Sequence, residues 1–179
     1  MKFALFLRNV NLGRPHCPSK QQLEEAFLRA GADSASCFLV NGTLVYAASS
    51  VQAAHVAFKS AYAHLQQVCG LREPAFVRTM DYLSGLASLD PFRDIDLTDV
   101  YGCYVSFLHS PQDKAPTLPL KTGNGNVELV QVTPAEVLTV ARAIGKAPGS
   151  PNAFLEKIVG APLTTRSWNT LVRLVERHG

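Results

Sequence analysis

The chain opens with an unbroken apolar run at residues 3–7, Phe-Ala-Leu-Phe-Leu. A run this short without polar alternation predicts a strand covered on both faces. Polar residues return at Arg8, and Ser19 with Gln22 makes a capping-box pattern just after Pro18. Leu23, Ala26, Phe27 and Ala30 recur at helical spacing, and Gly31 stands where that helix should stop. Residues 37–40 and 43–48 are β-type runs about Asn41-Gly42, a pair that tolerates the positive φ of a hairpin turn. Ser50 is placed to cap a second helix, whose stripe of Val51, Ala54, Phe58, Ala61, Tyr62, Leu65 and Val68 ends at Gly70. Residues 75–79 supply another strand. The order β-α-β-β-α-β predicts a ferredoxin-like lobe, with helices covering one face of a four-stranded sheet.

The second half reads differently. Residues 81–89 predict a short helix with Leu83, Leu86 and Leu89 on one side, ended by Asp90-Pro91. Residues 100–108 alternate, with Tyr101, Cys103, Val105 and Phe107 on one face of a strand. A loop rich in Pro and Gly follows over 110–125. Residues 127–132 and 136–144 predict two strands about Thr133-Pro134-Ala135, although Ala, Leu and Arg in the second leave a helix open. Ser150-Pro151 starts a helix that Gly160-Ala161-Pro162 closes, and the last helix is expected from about residue 167 to 177. The expected class is therefore α+β: a ferredoxin-like lobe at residues 1–90, then a smaller α+β lobe with C-terminal helices at 91–179.

Composition narrows the function classes. With 179 residues and 47% hydrophobic content, the chain has ample apolar surface for a core. Seventeen Lys and Arg against fourteen acids give a net charge of +3, too mild a balance to indicate nucleic acid. The four cysteines contain no C-x-x-C pair, so zinc and thioredoxin-like chemistry find no support and a cytoplasmic protein with reduced thiols is expected. The apolar start is shorter than the roughly 7–15 residues of a signal-peptide core, and no run approaches the about 20 that span a bilayer. No membrane partner is expected. Dinucleotide fingerprints, nucleophile elbows and H-E-x-x-H are absent, so no cofactor is expected.

Two polar segments carry the candidate chemistry. Arg8, Asn9 and Asn11 follow the first strand, where guanidinium and amide groups offer directed donors to an anion, or where the amides simply hold a turn. Thr164, Thr165, Arg166, Trp168 and Asn169 span the expected start of the last helix, where they suit an anion and leave Arg166 needing a negative partner. Glu156 is a candidate internal partner. Asn41, in the hairpin, completes the expected site. Other groupings are weaker: His55 and His64 are not four apart, His16 and Cys17 are adjacent and seldom share a target, and Asp94, Asp96 and Asp99 suit a solvated linker.

Phe6-Leu7-Arg8-Asn9-Val10-Asn11-Leu12-Gly13 is similar to L-L-R-G-I-N-V-G, and residues 152–157 and 164–169 are similar to T-N-x-x-L-E-K and T-T-R-N-W. On these pieces the chain resembles the domain of unknown function 1697 family, a mostly bacterial group. It departs from that pattern in Asn9 for glycine, in Asn41-Gly42-Thr43 for Ser-Gly-Asn, and in Gly149-Ser150-Pro151 where lysine is common. The resemblance implies an α+β protein of two small lobes and supplies no catalytic residues. The leading expectation is a binding protein with a polar cleft between lobes for an anionic small molecule. The alternatives are a small transferase or hydrolase acting on a phosphorylated or carboxylated metabolite, and an RNA-binding module.

Overall fold

The computed structural model describes residues 1–109, 121–123, 125–143 and 149–179. Much of the expected loop at 110–125, namely 110–120 and Asn124, lies outside the described residues, as does Ile144 at the end of an expected strand. The chain divides into two compact units, Met1–Ser84 with Arg177–Gly179, and Gly85–Glu176.

The first unit contains β1 (Lys2–Leu7), α1 (Lys20–Arg29), β2 (Ser34–Leu39), β3 (Thr43–Ala47), α2 (Val51–Cys69), β4 (Ala75–Thr79) and the start of α3 (Met80–Ser88). Its sheet is antiparallel in the order β2-β3-β1-β4, so β1 lies between two neighbours. Phe3, Leu5 and Leu7 pack in one core with Leu23 and Phe27 of α1 and Ala54, Ala61 and Leu65 of α2. Ala4 and Phe6 point to the other face beside Val45 and Phe76 in the strand register, and all four are buried. This two-sided burial is why the opening run has no polar alternation.

The helix ends follow the sequence pattern. Ser19 Oγ accepts from the Gln22 amide at 3.1 Å while Gln22 Oε1 accepts from the Ser19 amide at 2.8 Å, closing the capping box of α1. Ser50 Oγ accepts from the Ala53 amide at 3.0 Å, and Gly70 ends α2 at φ 71°. Tyr46 lies between Phe3 and Phe27, with ring centroids 5.4 Å and 4.7 Å away, and burial pushes its phenol pKa up.

The second unit carries β5 (Val100–Leu108), β6 (Val127–Val132), β7 (Glu136–Arg142), α4 (Pro151–Val159), β8 (Leu163–Ser167) and most of α5 (Trp168–His178). Its sheet is also antiparallel, in the order β6-β7-β5-β8. Residues 136–142 form a strand because β7 is internal, hydrogen-bonded on both sides, and six of its seven residues are buried. That tertiary setting outweighs the helix preference of Ala, Leu and Arg. Leu155 of α4 packs with Leu108, Leu129, Val137 and Leu163 on one face of the sheet.

One expectation is corrected. Thr164, Thr165 and Arg166 belong to β8, paired with β5, rather than to a helix start. β-branched threonines suit that pleated edge, and the helix begins only at Trp168. In the linker, hydrogen bonds from the Thr98 side chain and backbone hold the Asp96 carboxyl below the usual range, while Arg142 Nη1 donates to the Asp96 and Thr98 carbonyls. Among the described residues no group of three His, Cys, Asp or Glu could hold a metal.

Candidate functional site

In the first unit, the strand-to-helix loop after β1 is fastened by main-chain bonds to other elements. The Leu7 amide donates to the Gly42 carbonyl at 2.9 Å, the Arg8 amide to Pro74 at 3.0 Å, and the Leu12 amide to Val40 at 2.8 Å. Asn9 adopts φ 51° and His16 φ 59°, two left-handed residues other than glycine within one loop. Asparagine tolerates that region better than most side chains, so Asn9 performs the backbone role of the glycine expected there.

The Arg8 side chain reaches across to Glu73, with Nη1 donating to Oε2 at 2.6 Å. Glu73 is held a second time, because the Tyr62 hydroxyl donates to its carbonyl at 2.8 Å. Beside this pair is a cavity of about 530 Å³ lined by Asn9, Pro15, His16, Cys17, Gly70, Arg72 and Glu73. Its walls are the loop after β1, the end of α2 and the segment leading into β4. Gly70 leaves space there: a Cβ at this position would lie 3.3 Å from His16 Nδ1.

The electrostatics of this cavity are a balance. The carboxylate of Glu73 is offset by Arg8, leaving Arg72 as the uncompensated charge of the three, and the C-terminus of α2 contributes about half a negative charge. One full positive charge exceeds that half charge, leaving a small positive excess at the cavity. His16 adds imidazole nitrogens and Asn9 an amide.

The expected site residues are therefore only partly brought together. Asn9 lines the cavity and Arg8 orders its wall. Asn41 instead holds the hairpin, its Oδ1 accepting from the Thr43 hydroxyl at 2.8 Å, and Asn11 turns the loop, its carbonyl accepting from the Arg14 amide at 3.1 Å. His16, Cys17, Arg72 and Glu73 were not among the expected ligand residues. Pro15, His16 and Cys17 line the cavity in succession, with His16 at positive φ, and no spacing rule reports that arrangement.

In the second unit, strand alternation separates the expected residues. By register, Thr164 and Arg166 lie on the face of Val105 and Phe107, while Thr165 and Ser167 lie on the face of Tyr104 and Ser106. Arg166 is only 9% exposed, and burial lowers its pKa to about 10, so it remains charged at neutral pH. Its Nη1 donates to Thr164 Oγ1 and to the Thr165 carbonyl, each at 3.0 Å. Ser167 Oγ accepts from the Thr170 amide at 3.2 Å and so caps α5, while Asn169 is exposed. Trp168 meets Phe92 edge to face at 5.2 Å between centroids. Glu156, the candidate partner for Arg166, accepts at Oε1 from the Leu163 amide at 3.2 Å.

No curated protein matches the chain. Among solved structures, a conserved bacterial protein from Streptococcus pneumoniae is similar in fold, with a TM-score of 0.64 at 13% sequence identity, covering 98% of this chain and 97% of that one. A family model matches residues 1–137, which include the loop after β1, the hairpin and every residue lining the cavity, and the chain belongs to that family, described as a protein of unknown function (DUF1697).

Proposed function

We propose that this protein binds a small anionic metabolite in the cavity of its first unit. The observation that carries the reading is the cavity of about 530 Å³ lined by Arg72, His16 and Asn9 together with Glu73, whose carboxylate is already held by Arg8. Such a volume falls within the roughly 300–1,000 Å³ of small-molecule sites, and convergent donors supply orientation. The four free cysteines, and the lack of a described helix long and apolar enough to cross a membrane, support a cytoplasmic setting. The test is calorimetric titration of the full chain with a panel of phosphorylated and carboxylated metabolites. A saturable binder whose affinity falls at least about tenfold in Arg72→Ala supports the proposal. No binder in the panel, or equal affinity in the variant, defeats it.

One observation favours a second reading. Cys17 and His16 line the same cavity, which places a thiol and an imidazole beside the bound molecule. A transferase or hydrolase acting on the same class of metabolite would turn over the ligand identified by titration, and turnover would be lost in Cys17→Ser. Binding without turnover leaves the first reading standing alone.

A further inference from the structure

We propose that Cys17 and Cys69, beside the cavity of the first unit, form a dithiol that a hydroperoxide oxidises to an intramolecular disulfide. This chemistry needs only the two thiols and the peroxide, so it holds whether or not the cavity takes a ligand. Both cysteines are free, half-buried and in the same unit. Each packs against the core that β1, α1 and α2 share.

Two segments bring them together. Cys69 is the last residue of α2, and Gly70 ends that helix at φ 71°. The loop after β1 is pinched by the Gly13 amide, which donates to the Pro18 carbonyl at 2.9 Å, and turned by the Cys17 amide, which donates to the Arg14 carbonyl at 3.0 Å. The imidazole of His16 lies against Gly70, where an added Cβ would meet Nδ1 at 3.3 Å. Cys17 and Cys69 are the chain neighbours of the two residues in that contact. The thiols also sense each other. Burial raises the Cys69 pKa, a hydrogen bond with the Leu71 backbone lowers it, and charge on Cys17 raises it again. Half-buried groups exchange such an effect within about a Debye length, roughly 8–10 Å. A disulfide asks for Cα atoms about 4–7 Å apart, and the chain between Leu7 and Lys20, which holds neither helix nor strand, supplies whatever approach the bond still needs.

The two thiols are not equivalent. Cys17 lines the cavity, which admits a small neutral peroxide, whereas Cys69 Sγ donates to the Leu65 carbonyl at 3.1 Å. Cys17 therefore attacks first. Its thiolate sulfur bonds to one peroxide oxygen, the O–O bond breaks, and the leaving hydroxide takes up the proton that the thiol released. The Cys69 sulfur then attacks the Cys17 sulfenic acid, the S–O bond breaks, and hydroxide leaves with the Cys69 proton as a second water. Two electrons pass from the sulfurs to the peroxide, and an external dithiol returns them by exchange. The other two cysteines are set differently. Burial, then Glu24, push the Cys37 thiol up to about 12, and Cys103, in the second unit, is raised by burial and lowered by Arg142. Among the described residues no third His, Cys, Asp or Glu makes the pair a metal site.

The test treats the reduced, desalted full chain with hydrogen peroxide, then counts thiols and maps peptides without reduction. The four free thiols should fall to two, because one bond takes a pair, with Cys17 linked to Cys69 in monomers and dithiothreitol restoring all four. In Cys69→Ser, a dimedone adduct at Cys17 should replace the bond. In Cys17→Ser, thiol loss should slow at least about tenfold. The parent's peptide map decides the matter if either variant does not fold. No thiol loss, links to Cys37 or Cys103, links between chains, or separate oxidation of Cys17 and Cys69 each overturn the proposal. So does a bond of Cys17 to Cys69 that forms as fast in urea as in the folded chain.

Discussion

Arg8 Nη1 lies 2.6 Å from Glu73 Oε2, an ion pair that ties the end of β1 to the segment entering β4 and forms one wall of the cavity. The two side chains are 21% and 37% exposed, so the pair is neither fully screened nor deeply desolvated. A double-mutant cycle of Arg8→Ala and Glu73→Gln in urea denaturation should give a coupling of about 1 kcal/mol, falling as salt is added. Zero coupling at low salt would show that the pair only orients the cavity.

Gly42 holds the hairpin against the loop after β1. Its φ is 74°, and an added Cβ would lie 2.9 Å from Leu7 Cβ and 3.1 Å from Val10 Cβ. Gly42→Ala therefore combines backbone strain with overpacking and should cost about 2–4 kcal/mol, read as a lower urea midpoint at unchanged m.

Asn9 is a milder case of the same geometry. At φ 51°, replacement by glycine should leave stability within about 0.5 kcal/mol or raise it, whereas Asn9→Val should cost about 1–2 kcal/mol. If Asn9→Gly retains stability but weakens the titrated ligand, the amide has a binding role separate from its backbone role.

Arg166 is a buried residue of β8. Removing its buried side chain should cost about 2–4 kcal/mol in Arg166→Ala, because the variant leaves a cavity and strips Thr164 Oγ1 of its donor. Thermal denaturation checks this, and a variant as stable as the parent would refute it.

His178 stacks edge to face on Phe38 at 5.9 Å within the first unit. Burial, then the charges of Arg177 and Lys2, lower its pKa from the ordinary 6.5. The unfolded chain then binds more protons as pH drops below 6.5, so this group's contribution is complete above that value and is lost through the window beneath it. Tm of the parent should fall more steeply there than Tm of His178→Phe, which keeps the ring contact without the titration.

Most of the fold was legible because its signals are local. The burial of residues 3–7, the capping box at Ser19 and Gln22, and the ends of α2 at Ser50 and Gly70 depend on neighbours a few residues away. The segment before the last helix is not legible in the sequence, for the opposite reason. Threonine, arginine and serine fit either a capped helix start or an edge strand, and only pairing of Val105 with Arg166 and Ser106 with Thr165 selects the strand. The candidate site was half legible: Arg8 and Asn9 stood out by composition, whereas His16, Cys17, Arg72 and Glu73 did not.

The sequence by itself determined the α+β class, the order of elements in the first unit and the hairpin at Asn41-Gly42, since propensity, capping and periodicity act over a few residues. Tertiary structure decided which polar groups share a space. Arg8 meets Glu73 across sixty-five positions of chain, Gly70 makes room for His16, and Thr165 and Arg166 part to opposite faces of a sheet. Such relations depend on long-range register and on which elements meet, and no local preference encodes either.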